Sequence, residues 1–254
     1  MATGRKSLYA GARHAFRFRA LAAPCGVMFA PDAAMLPCVE IETGPNPRHA
    51  VLWLHGLGAD GHDFEPIVPE LVPPDWPPLR FVFPHAPVRP VTLNGGMPMR
   101  AWYDIAGLDL GARQDEAGIR ASIAEVEALM RREHARGIDS QRLLLAGFSQ
   151  GGAIALATGL RHAGRLAGIV ALSTYLPLME TTAVESSTGN ASVPIFWGHG
   201  SLDPIVPLAL GARSREYLEE VGHAVDWHDY PMAHQVCARE IADLRNWLSA
   251  HLFA

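Results

Sequence analysis

The chain has 254 residues, 49% of them hydrophobic, ample for one sizeable core and borderline for two domains. A formal net charge of −5, with no basic stripe beyond the N-terminus, argues against a nucleic-acid surface. Cys25, Cys38 and Cys237 are too scattered for a disulfide framework or a zinc site, and no apolar run approaches the roughly 18 residues of a membrane span.

Residues 1–37 read as an N-terminal extension. Arg5, Lys6, Arg13, Arg17 and Arg19 precede the first acidic residue, Asp32, and no apolar period runs through them. An Arg-rich, acid-poor start is one form of targeting segment, but the apolar core of a secretory signal is missing. The plainer readings are a poorly ordered extension or an upstream start codon, with Met28 or Met35 as the true start. The remainder, 38–254, reads as one domain. Its cysteine usage points to a reducing compartment, so the cytoplasm is the expected location.

From residue 38 on, strand and helix patterns alternate. Strands are expected near 38–42, 50–54, 79–83, 141–146, 166–172, 193–198 and 225–230. The clearest helix covers 114–136, where Ile119, Ile123, Val126, Leu129 and Met130 fall on one face and Gly137 ends the run. Further helices are expected after residue 151, over 208–221 and over 235–252. This alternation predicts an α/β fold: a mostly parallel twisted sheet with helices on both faces.

The 50–54 strand empties into His55-Gly56-Leu57-Gly58, where glycines let the backbone approach a ligand and the Leu57 N–H can face it. His55, at a strand end before glycine, reads as structural. Of the later loops, 73–78 reads as a rigid Pro-rich connector, while 88–103 carries Gly95-Gly96 as a hinge. In that loop Met97 and Trp102 are candidate apolar contacts for a substrate, as is Leu176 at the head of the polar 176–192 segment.

The most informative five residues are Gly147-Phe148-Ser149-Gln150-Gly151, between the apolar run Leu143-Leu144-Leu145-Ala146 and an Ala-rich helix pattern. Strand, sharp turn and helix with serine at the apex form a nucleophile elbow. The N–H of Gln150 then lies at a helix N-terminus, whose positive dipole end suits a developing oxyanion. Leu57 and Gln150 are thus the expected oxyanion donors.

A serine nucleophile needs a base, and the base an orienting acid, in the chain order Ser, Asp, His for this arrangement. The strand near 193–198 ends in Gly198-His199-Gly200-Ser201-Leu202-Asp203-Pro204, and the next gives way to Pro231-Met232-Ala233-His234. Ser149, Asp203 and His234 thereby fall at strand ends on one edge of a parallel sheet, where such folds keep their chemistry. No metal-ligand spacing is present on a helical pattern.

Several blocks together resemble the carboxylesterase and acyl-protein thioesterase family, the phospholipase/carboxylesterase branch of the α/β-hydrolases. They are 55–60, 84–92, Ala101-Trp102-Tyr103-Asp104, 147–152, 199–204 and 230–234. The resemblance runs from about Cys38 to Leu252 and looks closest to bacterial carboxylesterases; the N-terminal extension departs from it. It implies hydrolysis of esters or thioesters by Ser149, His234 and Asp203, an oxyanion hole from Leu57 and Gln150, and no metal or organic cofactor.

The expected enzyme is a serine carboxylesterase acting on short to medium acyl chains, with no large cap domain. Its partners are small-molecule esters or thioesters, with a homodimer the generic expectation. The alternatives are an acyl-protein thioesterase or lysophospholipid esterase with the same triad, and a non-catalytic binding protein of the same fold.

Overall fold

The computed structural model describes residues 35–107 and 113–253. Of the extension expected over 1–37, residues 1–34 lie outside the described part. Among the described residues there are nine strands: β1 Cys38–Glu42, β2 His49–Leu54, β3 Leu79–Pro84, β4 Val88–Val91, β5 Met97–Arg100, β6 Leu143–Phe148, β7 Gly168–Leu172, β8 Ile195–Gly200 and β9 Val225–Tyr230. The helices are α1 Val68–Leu71, α2 Glu116–Ala135, α3 Gln150–Arg161, α4 Met179–Glu185, α5 Leu208–Glu220 and α6 Ala238–His251.

Seven strands form one sheet in the order β1-β3-β2-β6-β7-β8-β9. All its pairings are parallel except β1 with β3. Along each inner strand the side chains alternate between two apolar layers, as the two-residue strand period requires. Leu52 and Leu54 face one layer with Leu143, Leu145, Ile169 and Ala171; α2 and α3 cover it through Ile119, Val126, Leu129 and Leu156. Val51 and Trp53 face the other with Leu144, Ala146, Val170 and Phe196, and Leu71, Leu244 and Leu248 from α1 and α6 close it. Both faces being buried, these strands read as continuous apolar runs. The expected helix and sheet pattern is therefore present, and among the described residues no cap domain stands over the sheet.

Two segments differ from expectation. The 88–103 stretch is a two-stranded hairpin, β4 antiparallel to β5, with Gly95 and Gly96 at φ 67° and 78° in its turn. Each strand contains a proline, which masks it from propensity. The 176–192 stretch contains α4, held by tertiary contacts. Arg161 pairs with Glu185 at 2.7 Å, and Arg120 reaches the same carboxylate at 2.8 Å.

Candidate active site

β6 passes straight into α3 through Ser149, which sits at φ 54°, ψ −121°, a strained conformation for a residue with a side chain. The neighbours that permit this turn are glycines by necessity. A Cβ on Gly147 would run into the Gly151 carbonyl, and one on Gly151 into the carbonyls of Leu54 and His55. The turn is pinned on both sides, with Ser149 N–H donating to Leu172 O at 2.9 Å and Thr174 Oγ1 donating to Ser149 O at 2.6 Å.

Asp203 lies in the turn after β8, buried. Its Oδ1 accepts from the N–H groups of Ile205 (2.8 Å) and Val206 (2.9 Å), and its Oδ2 lies 2.7 Å from His234 Nδ1. Backbone bonds join the two loops: Ser201 N–H donates to Tyr230 O at 2.7 Å and Leu202 N–H to Met232 O at 3.1 Å. With Nδ1 engaged as donor to a carboxylate, His234 has Nε2 left to receive a proton. The Phe148 ring packs 4.7 Å from the imidazole, centroid to centroid. His199, not singled out in the sequence, donates from Nε2 to Val206 O at 2.9 Å and so braces the Asp203 turn from below. Burial pushes its imidazole pKa down, which keeps it neutral.

Leu57 and Gln150 line the same cavity as Ser149. Gln150 begins α3, so its N–H belongs to the first turn, where helix geometry supplies no intrahelical acceptor. Its side chain is used elsewhere: Oε1 accepts from Trp102 N–H at 2.8 Å and Nε2 donates to Tyr103 O at 2.7 Å. The 56–61 loop is tied down by Gly58 N–H to Arg100 O (2.9 Å) and by Gly61 N–H to His85 Nδ1 (3.0 Å). His55 is occupied at both ring nitrogens, by Gly56 O at 2.7 Å and Ala86 N–H at 3.1 Å, which leaves neither to act as a base.

Ser149, His234, Leu57 and Gln150 line one cavity of about 270 Å³, whose apolar wall is Leu93, Ile105, Phe148, Tyr175, Ile205 and Val206. The residues expected to contact an acyl chain are not on that wall. Trp102 is 0% exposed and donates from Nε1 to His55 O, at the start of the 55–61 loop. Met97 is 60% exposed on β5, and Leu176 is buried beside the neighbouring cavity of Tyr103 and Met179. Neighbours distant in sequence set these positions, and Ile205 and Val206 could have been suspected only from their place beside Asp203. Among the described residues no group of His, Cys, Asp and Glu side chains is placed to hold a metal ion.

Residues 36–252 match the phospholipase/carboxylesterase family. The acyl-protein thioesterase 1 of Cryptococcus neoformans is 37% identical over 228 residues, covering 82% of this chain and 95% of that protein. Among solved structures, Arabidopsis thaliana SOBER1 superposes with a TM-score of 0.77 at 30% identity, covering 81% of this chain and 99% of that one. The acyl-protein thioesterase 2 of Zea mays gives 0.75 at 30% identity, covering 85% and 99%.

Proposed function

The chain belongs to the phospholipase/carboxylesterase family of α/β-hydrolases, and we propose that it hydrolyses carboxylic esters and thioesters through a covalent intermediate on Ser149. The observation that carries this reading is the 2.7 Å contact between His234 Nδ1 and Asp203 Oδ2 beside the cavity that Ser149 opens into. As the Ser149 Oγ–carbon bond forms, the hydroxyl proton passes to His234 Nε2. Asp203 holds the imidazole in that tautomer and stabilises its charged form.

The carbonyl oxygen becomes an oxyanion facing the N–H groups of Leu57 and Gln150, each such donor contributing about 3–4 kcal/mol to the barrier reduction. Collapse breaks the bond to the leaving oxygen or sulfur, which takes the proton from His234. Water then attacks the acyl-enzyme and gives a proton to His234; collapse breaks the bond to Ser149 Oγ, which takes that proton back, and the carboxylic acid leaves.

The acyl group occupies the wall of Leu93, Ile105, Tyr175 and Ile205. At about 270 Å³ the cavity lies below the roughly 300–1,000 Å³ of typical small-molecule sites, which favours short to medium chains. Labelling of Ser149 by a fluorophosphonate, together with rates on nitrophenyl esters graded by chain length, tests this. Absence of labelling, as a non-catalytic binding protein would give, ends the hydrolase reading. An acyl-protein thioesterase is the second reading, favoured by the names of the relatives at 37% identity. Faster turnover of an S-acylated peptide than of a short ester would select it.

The proposed location is the cytoplasm, supported by free thiols at Cys38 and Cys237. Among the described residues no helix is long and apolar enough to cross a membrane. A C2 homodimer completes the proposal on general grounds, and sedimentation tests it.

A further inference from the structure

His234 stands between two cavities. One is the Ser149 cavity. The other, about 360 Å³, lies between the 63–70 segment and the start of α6, and the two share only Asp63, Phe148 and His234. The oxyanion residues Leu57 and Gln150 line the first and not the second. Around the tetrahedral carbon, the oxyanion points to Leu57 and Gln150 and the acyl chain to the apolar wall of the first cavity. The leaving atom must point to His234, which protonates it. Whatever is attached to that atom is therefore directed into the second cavity.

The chemistry of that cavity is specific. Its floor is apolar and aromatic, with Phe64 and Phe148 in contact at 5.6 Å between ring centroids, beside Ile67 and Ile241. Its rim carries the carboxylates of Asp63 and Glu70. Arg245 donates to the backbone oxygen of Glu70 and His62 pairs with Glu65 at 2.8 Å, and among the described residues neither the Asp63 nor the Glu70 carboxylate has an ion-pair partner. Partial desolvation, and then the nearby Asp60 charge, push the Asp63 carboxyl pKa upward.

We infer that this second cavity is the leaving-group subsite and that it selects alcohols or thiols carrying a cationic group a few bonds from the reacting oxygen or sulfur. Aromatic faces and carboxylates together recognise alkylammonium and guanidinium groups. The cation could be a quaternary ammonium head or a basic side chain next to an acylated cysteine. Both present the same charge to Phe148 and Asp63.

This inference rests on the hydrolase reading above. The test compares butyrylthiocholine with its uncharged isostere, S-(3,3-dimethylbutyl) thiobutyrate, on the full-length protein. A butyrylated cysteine peptide with a neighbouring lysine, paired with the same peptide bearing norleucine there, separates the two cation sources. For at least one pair the cationic member should have the higher kcat/KM, by about tenfold, and that ratio should shrink with added salt.

Asp63→Asn and Glu70→Gln should each bring the ratio towards one. Glu216→Gln, an exposed charge on α5, should leave it alone. A ratio of one for both pairs in the parent protein, or one unmoved by both rim variants, overturns the subsite while leaving the hydrolase intact. Hydrolysis of none of the four substrates overturns the hydrolase reading itself.

Discussion

Asp203 divides its carboxylate: Oδ2 touches His234 Nδ1 at 2.7 Å, while Oδ1 caps the Ile205 and Val206 N–H groups at 2.8 and 2.9 Å. An asparagine can keep the cap but cannot hold the imidazole as a proton acceptor. Asp203→Asn is therefore expected to lower kcat by about 10³–10⁴-fold with the melting temperature nearly unchanged. Near-parental kcat in that variant would show that Asp203 serves only its turn.

Ser149 combines strain with chemistry. Ser149→Ala should abolish turnover and phosphonate labelling while the chain stays folded. Ser149→Gly should be equally inactive yet more stable by about 1 kcal/mol, because glycine adopts φ 54° without cost. Thermal melts of the two variants side by side check this; an alanine variant melting at or above the glycine one contradicts the strain argument.

Gly151 has no room for a methyl group against the Leu54 and His55 carbonyls. Gly151→Ala should cost about 3 kcal/mol or more and fail to accumulate as folded protein, whereas Gly222→Ala, with nothing near its side, should cost about 1 kcal/mol through its φ of 97° alone. Denaturant midpoints rank the two, and the reverse ranking would refute the close-packing account of the elbow.

Glu240, in the first turn of α6, is buried under Gly198, and that burial raises its carboxyl pKa from 4.5 to about 8 despite the opposing pull of the Cys237 N–H. The folded state binds this proton more tightly than the unfolded chain does. Stability is therefore fully present below about pH 4.5 and is lost as pH rises through about 8, by on the order of 4 kcal/mol. Urea midpoints at pH 5 and pH 8 should diverge in the parent and converge in Glu240→Gln. Parallel behaviour of the two proteins would be inconsistent with a buried neutral carboxyl.

His55 has the opposite sign. Burial lowers its pKa below the ordinary 6.5, and its Nε2 accepts from Ala86 N–H only while neutral. Its contribution is present above pH 6.5 and lost as pH falls through the depressed value. His55→Ala should cost about 2 kcal/mol at neutral pH and make acid unfolding shallower, as followed by fluorescence. An unchanged acid transition would assign it to other buried histidines such as His199.

The parts of the site that could be read in the sequence are those whose geometry is packed into a few consecutive residues. Gly147 to Gly151 encode their own turn, and Asp203 and His234 each follow a strand pattern within a few positions. The β4–β5 hairpin was not readable, since Pro90 and Pro98 hide it and it is tied to Gly58, about forty positions from Arg100. Trp102 looked like an acyl contact because an aromatic residue in a loop carries no mark of direction. Its burial depends on Gln150 and His55, each nearly fifty positions away.

Strand alternation, the elbow and the order Ser149, Asp203, His234 are properties of local sequence, because backbone sterics and the two- and 3.6-residue periods act over neighbouring residues. The shape of the cavities is not. Phe148 and His234 came to share a wall with Asp63, and Ile205 rather than Met97 came to line the Ser149 cavity, only once seven strands had brought separate loops to one edge. Side-chain direction at such a junction is set by contacts between residues far apart in the chain, and a linear reading holds no term for them.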